Sequence, residues 1–313
     1  MAYRRLCHAQ RLCDVRQFSP PDALAQNQKQ RKIETTDLHF VEVRHDRISL
    51  AFISRGVHFR VRESSGSLRS TGERQMADPK KILMIASNPT ISPVTGWPIG
   101  FWWAELSHAF EVFENAGYDI DIVSPDGGKL EADGYSDPED ESGYSVQDTI
   151  SLAFKTDPKK MQRLEDTPPL GSVNPETYDA VFVVGGQGPM VTMIENEPVH
   201  QFVSAFYESG KTLAAVCHGT CILLKTRLSN GDLLVKGKRW TGFANSEEEY
   251  AESAIGQKIQ PFWIETEARK IAETQFEVAG ALEEHAIRDG NLITGQQQVS
   301  AAAAAREVVA ALS

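Results

Sequence analysis

The sequence has no apolar run of about 18 residues, so no helix is expected to cross a membrane. Cysteine is scarce: four in 313 residues, at Cys7, Cys13, Cys217 and Cys221. Four scattered thiols make no disulfide framework. They fit a reducing compartment, the cytoplasm. No set of Cys and His has zinc-finger spacing, and His39, His45 and His58 in the N-terminal region support no metal site. The glycines of Gly185–Gly188 lack both the full G-x-G-x-x-G spacing and a suitable following acid, which excludes NAD. The expectation is therefore no metal and no cofactor.

What is present is an ordinary globular composition, 41% hydrophobic and 24% charged. The formal net charge of -11 is unevenly spread. Residues 1–75 carry 14 Lys and Arg against 8 Asp and Glu, leaving 18 against 35 for the rest. An acidic body lacks the cations that neutralise phosphates, so nucleic acid is excluded as a general partner. Small molecules or proteins fit it better.

The basic region, 1–75, has three readings. Arg-rich, acid-poor leaders are targeting segments or disordered, but eight acids speak against that. The stretch HFVEVRHDRISLAFISRGVHFRVRE alternates like a β-hairpin. The third, favoured here, is an over-long translation start, with the native chain opening at Met76 as MADPKKILMIAS. The domain division is thus 1–75 and 76–313.

From Lys80 onward the pattern is regular. KKILMIAS is a short apolar run, the mark of a buried parallel strand. GFWWAELSHAFEVFENAG has apolar residues at helical spacing and Gly117 in the stop position. YDIDIVSP and YDAVFVVGGQG read as strands, NEPVHQFVSAFYESGK as a helix, and TLAAVCHGTCILL as strand, sharp turn and helix. Residues 125–175 form a polar connection with one helical stretch near DPKKMQRLED, and long connections often cover a site. KRWTGFANSEEEYAE reads as strand then acidic helix, and FWIETEARKIAET as a helix. A hairpin and a closing helix follow from His285, itself read as a strand residue. Strands alternating with helices predict a single doubly wound α/β domain, with a mostly parallel sheet covered on both faces. Sites in such sheets lie at the carboxyl ends of strands, where both the glycine stop and Cys217 fall.

Cys217 sits between an apolar strand and an apolar helix, with Ala214, Ala215 and Gly219 small enough for a tight bend. That is the nucleophile-elbow pattern with Cys in place of Ser. The positive end of the following helix is expected to lower its pKa. Gly185 and Gly186 let backbone N–H groups approach a reacting oxygen, and with the N–H of His218 they form a candidate oxyanion hole. Cys221 shares a helical face with Cys217 and reads as core packing. From spacing alone Glu105 is a solvated helix residue.

AVCHG after a strand, VVGGQG upstream, TGWPIGFWWAEL at the first helix, TGF…E and DGNLITGQ together resemble the ThiJ/PfpI superfamily. The match is to its glyoxalase III and heat-shock-chaperone-like branch, over about residues 80–312. The resemblance implies a flavodoxin-like, class I glutamine amidotransferase-like fold. It implies that Glu105 sits against the Cys217 sulfur. A carboxyl there either keeps its proton or raises the thiol pKa, and can serve as general acid and base. It implies that His218 partners the thiol and that Glu248 orients His218, with Glu247 and Glu249 as neighbouring alternatives. It places Trp97 and Trp102 at the pocket entrance. His285 lacks the downstream pattern of an amidotransferase triad.

The implied activity is glutathione-independent conversion of methylglyoxal to lactate, or repair of early glyoxal adducts, by a homodimer acting on a small dicarbonyl. The alternatives are a stress holdase or oxidation sensor and an amidase or peptidase.

Overall fold

In the computed structural model the described residues are 78–313. The basic N-terminal region, its three readings, Met76, Cys7, Cys13, His39, His45 and His58 lie outside them.

Six strands build the sheet: β1 Lys81–Ile85, β2 Asp119–Val123, β3 Ala180–Val183, β4 Thr212–Val216, β5 Ala286–Asp289 and β6 Leu292–Gly295. Their order is β2-β1-β3-β4-β6-β5, all parallel except β5, which pairs antiparallel with β6 at one edge. The helices are α1 Trp103–Asn115, α2 Thr149–Thr156, α3 Pro158–Glu165, α4 Glu197–Glu208, α5 Asn245–Ile255 and α6 Ala301–Leu312. Shorter helical turns cover Pro189–Thr192 and Ile264–Ala268.

Successive strand residues point to opposite faces, and here both faces are covered. Ile82, Met84, Phe182, Ala214 and Ile293 pack with Leu106, Phe110 and Phe113 of α1 and with Ala304 and Val308 of α6. Leu83, Ile85, Val181, Val183 and Leu213 pack with Val199, Val203 and Phe206 of α4. Two dry faces need apolar residues at every position, which is why β1, β3 and β4 read as unbroken runs.

The chain steps from β1 out to β2, then back past β1 to β3, so its winding reverses between β1 and β3. Clefts in open α/β sheets form at such a reversal, beyond the carboxyl ends of the strands. Glu105, Gly185 and Cys217 follow β1, β3 and β4 respectively.

Four local expectations are corrected. The long connection holds two helices, α2 and α3, rather than one. β-branched Thr149 and Ile150 obscure α2, whose start is fixed by Asp148 accepting from Ser151 N–H. The helix expected around FWIETEARKIAET spans only Ile264–Ala268. The segment Cys217–Leu224 is 3₁₀, not α. His285 lies one residue before β5, where its carbonyl accepts from Gln296 N–H at 3.0 Å.

Candidate active site

The site begins with a backbone constraint. Val216 is extended, and Cys217 then turns to φ +54°, the left-handed region that side chains with a Cβ avoid at a cost of roughly 1–2 kcal/mol. The turn is held by close neighbours. Thr220 Oγ1 donates to the Cys217 carbonyl at 2.6 Å, and a Cβ on Gly219 would stand 2.8 Å from the Val184 carbonyl oxygen. Strain of this kind persists where surroundings over-determine it, typically at functional sites.

The 3₁₀ geometry also separates the two cysteines. With three residues per turn, residue 221 does not repeat the direction of residue 217, so the shared helical face expected from sequence is absent. Cys217 joins the core on the α1 side and Cys221 the core on the α4 side. Cys221 donates to the Pro189 carbonyl at 3.5 Å, and burial pushes its thiol far up. It is a packing residue.

Glu105, in the first turn of α1, is fully buried. Glycine at 185 makes its position possible. A Cβ there would overlap Glu105 Oε2 and lie 2.6 Å from the Val216 carbonyl oxygen and 2.9 Å from Cys217 Cβ. The carboxyl therefore reaches the strand end beside the elbow. Neither of its oxygens makes a well-formed hydrogen bond. Burial, with the charge of Asp133, holds its pKa well above the usual carboxylate range, and the Cys217 thiol and Gly185 N–H only partly oppose this. Burial also pushes the Cys217 thiol up, followed by the negative charge of Glu105, while the His218 N–H opposes. The lowered thiol pKa expected from the helix is thus overturned: desolvation outweighs the first turn of a 3₁₀ helix. The Gly185 carbonyl accepts from Trp102 N–H at 3.1 Å, which ties the strand end to the start of α1.

On the other side of the sulfur stands His218. Its Nδ1 is 3.4 Å from Cys217 Sγ, and its Nε2 is 2.9 Å from Glu248 Oε1. Glu248 is an acceptor, which assigns the ring proton to Nε2 and leaves the Nδ1 lone pair facing the thiol. Phe243 stacks on the imidazole at 4.1 Å between centroids. Of the three adjacent glutamates, Glu248 alone meets His218. Glu247 accepts from the N–H groups of Ala244 and Leu282 and from Gln296, and Glu249 is exposed.

Asp133 was not anticipated. It is buried, accepting from Gly100 N–H at 3.0 Å and Gln187 N–H at 2.6 Å. One carboxyl thus ties the approach to α1 to the loop after β3. Burial lifts its pKa to about 7, against the two amides and the nearby His218. Gly186, between the tied segments, has φ +106°, and a Cβ there would stand 2.6 Å from Trp102 N. Asp133 lies in the polar connection without a motif, so nothing in the local sequence marks it.

Above the sulfur is a cavity of about 230 Å³. Cys217, His218, Glu248, Trp97 and Trp102 form part of its wall, and Glu105, Gly185, Gly186 and His285 do not. Trp97 meets Tyr135 edge-on at 6.0 Å, and Trp102 meets Tyr144 in the same way at 6.0 Å. Among the described residues no group of three or more His, Cys, Asp or Glu could hold a metal ion, and no helix is long and apolar enough to cross a membrane.

A doubly wound sheet with a cysteine elbow, a buried glutamate and a His–Glu pair defines a class of α/β protein built around one thiol. The model of the DJ-1/PfpI family matches residues 100–311, and the chain belongs to that family. Among its relatives, glyoxalase 3 of Candida albicans is 28% identical over 220 residues, covering 69% of this chain and 91% of the relative. Glutathione-independent glyoxalase HSP31 of Saccharomyces cerevisiae is 27% identical over 248 residues, covering 76% and 99%. The crystal structure of glyoxalase III from Candida albicans superposes with a TM-score of 0.62 at 26% identity, covering 74% of this chain and 97% of that one. The Rapid Encystment Protein of Francisella tularensis superposes at 0.66 with 25% identity, covering 75% and 99%.

Proposed function

We propose that this protein is a glutathione-independent glyoxalase that converts methylglyoxal and water to lactate through Cys217. The observation that carries the proposal is a sulfur at a left-handed turn, between the buried carboxyl of Glu105 and a ring nitrogen oriented by Glu248. The glyoxalase names of the relatives support it.

The steps follow from the two flanking groups. His218 Nδ1 takes the thiol proton, and Glu248 pairs with the resulting imidazolium. Glu105, kept protonated by burial, faces the sulfur without a second negative charge. The sulfur bonds to the aldehyde carbon, and the carbonyl oxygen takes a proton from Glu105 to give a thiohemiacetal. Bond formation removes the charge on sulfur, so Glu105 is freed to ionise. The carboxylate then removes the hydrogen on C1 while the His218 imidazolium gives its proton to the C2 oxygen, leaving an enediol and a neutral His218. Glu105 returns its proton to C2 and takes the proton of the C1 hydroxyl, leaving the thioester and a protonated Glu105. C1 is oxidised and C2 reduced, so no external oxidant is involved. Water, deprotonated by His218, cleaves the thioester and restores the thiol. The N–H groups of His218 and Gly186 serve the oxyanion.

Purified protein is expected to release lactate from methylglyoxal without added glutathione. Cys217→Ala stops this, and Glu105→Gln slows it by about 10²-fold or more. Equal rates for wild type and Cys217→Ala end the proposal. We further propose a cytoplasmic homodimer, for which light scattering should give twice the mass of one chain.

A further inference from the structure

The proposed chemistry occupies one end of the cavity, and the other end has a different character. Helix α5 begins beside the sulfur, with Glu248 on His218. Ala251, Ala254 and Ile255 of the same helix also line the cavity, joined by Ile259 and Leu282. At a rise of about 1.5 Å per residue, Ile255 lies about 10 Å along the axis from Glu248. The cavity thus has an apolar arm leading away from Cys217, and the small side chains at 251 and 254 leave it open.

The wall contains no Lys or Arg. Its two carboxyls are already engaged, Glu248 by His218 and Glu247 by two backbone N–H groups and Gln296. An anionic substituent would lose water there without a cation to pair with. Size points the same way. A cavity of about 150 Å³ holds a benzene ring, and the 230 Å³ here exceeds that by enough for a two-carbon dicarbonyl head. A three-carbon substrate would leave the arm empty.

We infer that the site takes a neutral 2-oxoaldehyde bearing an aryl-sized apolar substituent, which lies along the Ala251–Ile255 face of α5 while its aldehyde meets Cys217. The inference rests on the glyoxalase proposal and names the substrate class within it. Binding is driven by burial of the apolar group, so the preference enters through KM.

The test is steady-state kinetics with phenylglyoxal and methylglyoxal on wild type, Ala251→Phe and Ala254→Trp. Residue 254 is exposed, so the second replacement fills the arm without crowding the core. Wild type is expected to favour phenylglyoxal at least tenfold in kcat/KM. Each variant should reduce the ratio of the two kcat/KM values at least tenfold. Turnover of methylglyoxal with a wild-type ratio at or below one, or a ratio unmoved by both variants, overturns this inference alone. Turnover of neither aldehyde overturns the glyoxalase proposal and this inference together.

Discussion

The floor beneath the cavity, which lines it only at Cys217, and the wall around it are built on opposite terms. The floor is a matter of backbone: strand ends, glycines and one left-handed residue crowd Glu105 against Cys217, with no room for an added carbon. The wall is a matter of side chains: tryptophans, tyrosines, alanines and isoleucines with open space between them. The floor fixes what reaction is possible and the wall fixes what enters. Changes to the floor should therefore remove the reaction, and changes to the wall should re-sort substrates.

The sharpest way to break that division is Gly185→Ala. A methyl there overlaps the Glu105 carboxyl, which must leave the sulfur. Activity is expected to fall about 10³-fold, the scale of a lost general acid–base, with overpacking lowering stability by roughly 1–3 kcal/mol. Lactate assays and urea melts measure the two. A Gly185→Ala enzyme with near-normal turnover would show that the floor tolerates what the geometry forbids.

Asp133 joins floor to wall, and its effect is read in pH. Its folded pKa, about 7, lies above the ordinary carboxylate value, so the native state binds the extra proton. Its contribution to stability is fully present below about pH 4 and is lost as pH rises toward 7, by on the order of 4 kcal/mol. Denaturation midpoints across pH 4–8 should show the slope, and Asp133→Asn should flatten it.

The smallest expected effect separates adjacent glutamates. Glu248→Gln should lower kcat about tenfold or more, because His218 loses its charged partner. Glu247→Gln should lower stability by about 1–3 kcal/mol, since three donors, two of them buried, face an amide instead of a carboxyl. Kinetics and melts on both variants decide whether the assignment of roles is correct or reversed.

How much of this was legible beforehand follows the same line. The sheet was readable because strands dry on both faces carry apolar residues throughout, as in KILMI and TLAAV. The elbow was readable from AVCHG, since a polar residue between two apolar elements requires an explanation. Glu105 was not readable from spacing, because a glutamate in a first helical turn is ordinary; only family resemblance placed it. Glu248 too came from the family resemblance, by its offset after TGF, while the parts of Glu247 and Glu249 needed coordinates. Asp133 left no signal at all, because its partners are backbone N–H groups 33 and 54 residues away. The direction of the Cys217 shift was misjudged for a related reason: a local pattern shows the helix that follows a thiol but not the water that has been excluded from it.

The conformation of Cys217 has a consequence for descent. Thr220 and the packing at Gly219 hold the bend in place whatever side chain residue 217 carries. Glycine would adopt that backbone more easily than cysteine does. A lineage that stopped needing the reaction could lose its sulfur and keep its architecture, so relatives of identical shape need not share a chemistry, and the thiol itself is the feature to look for when sorting them.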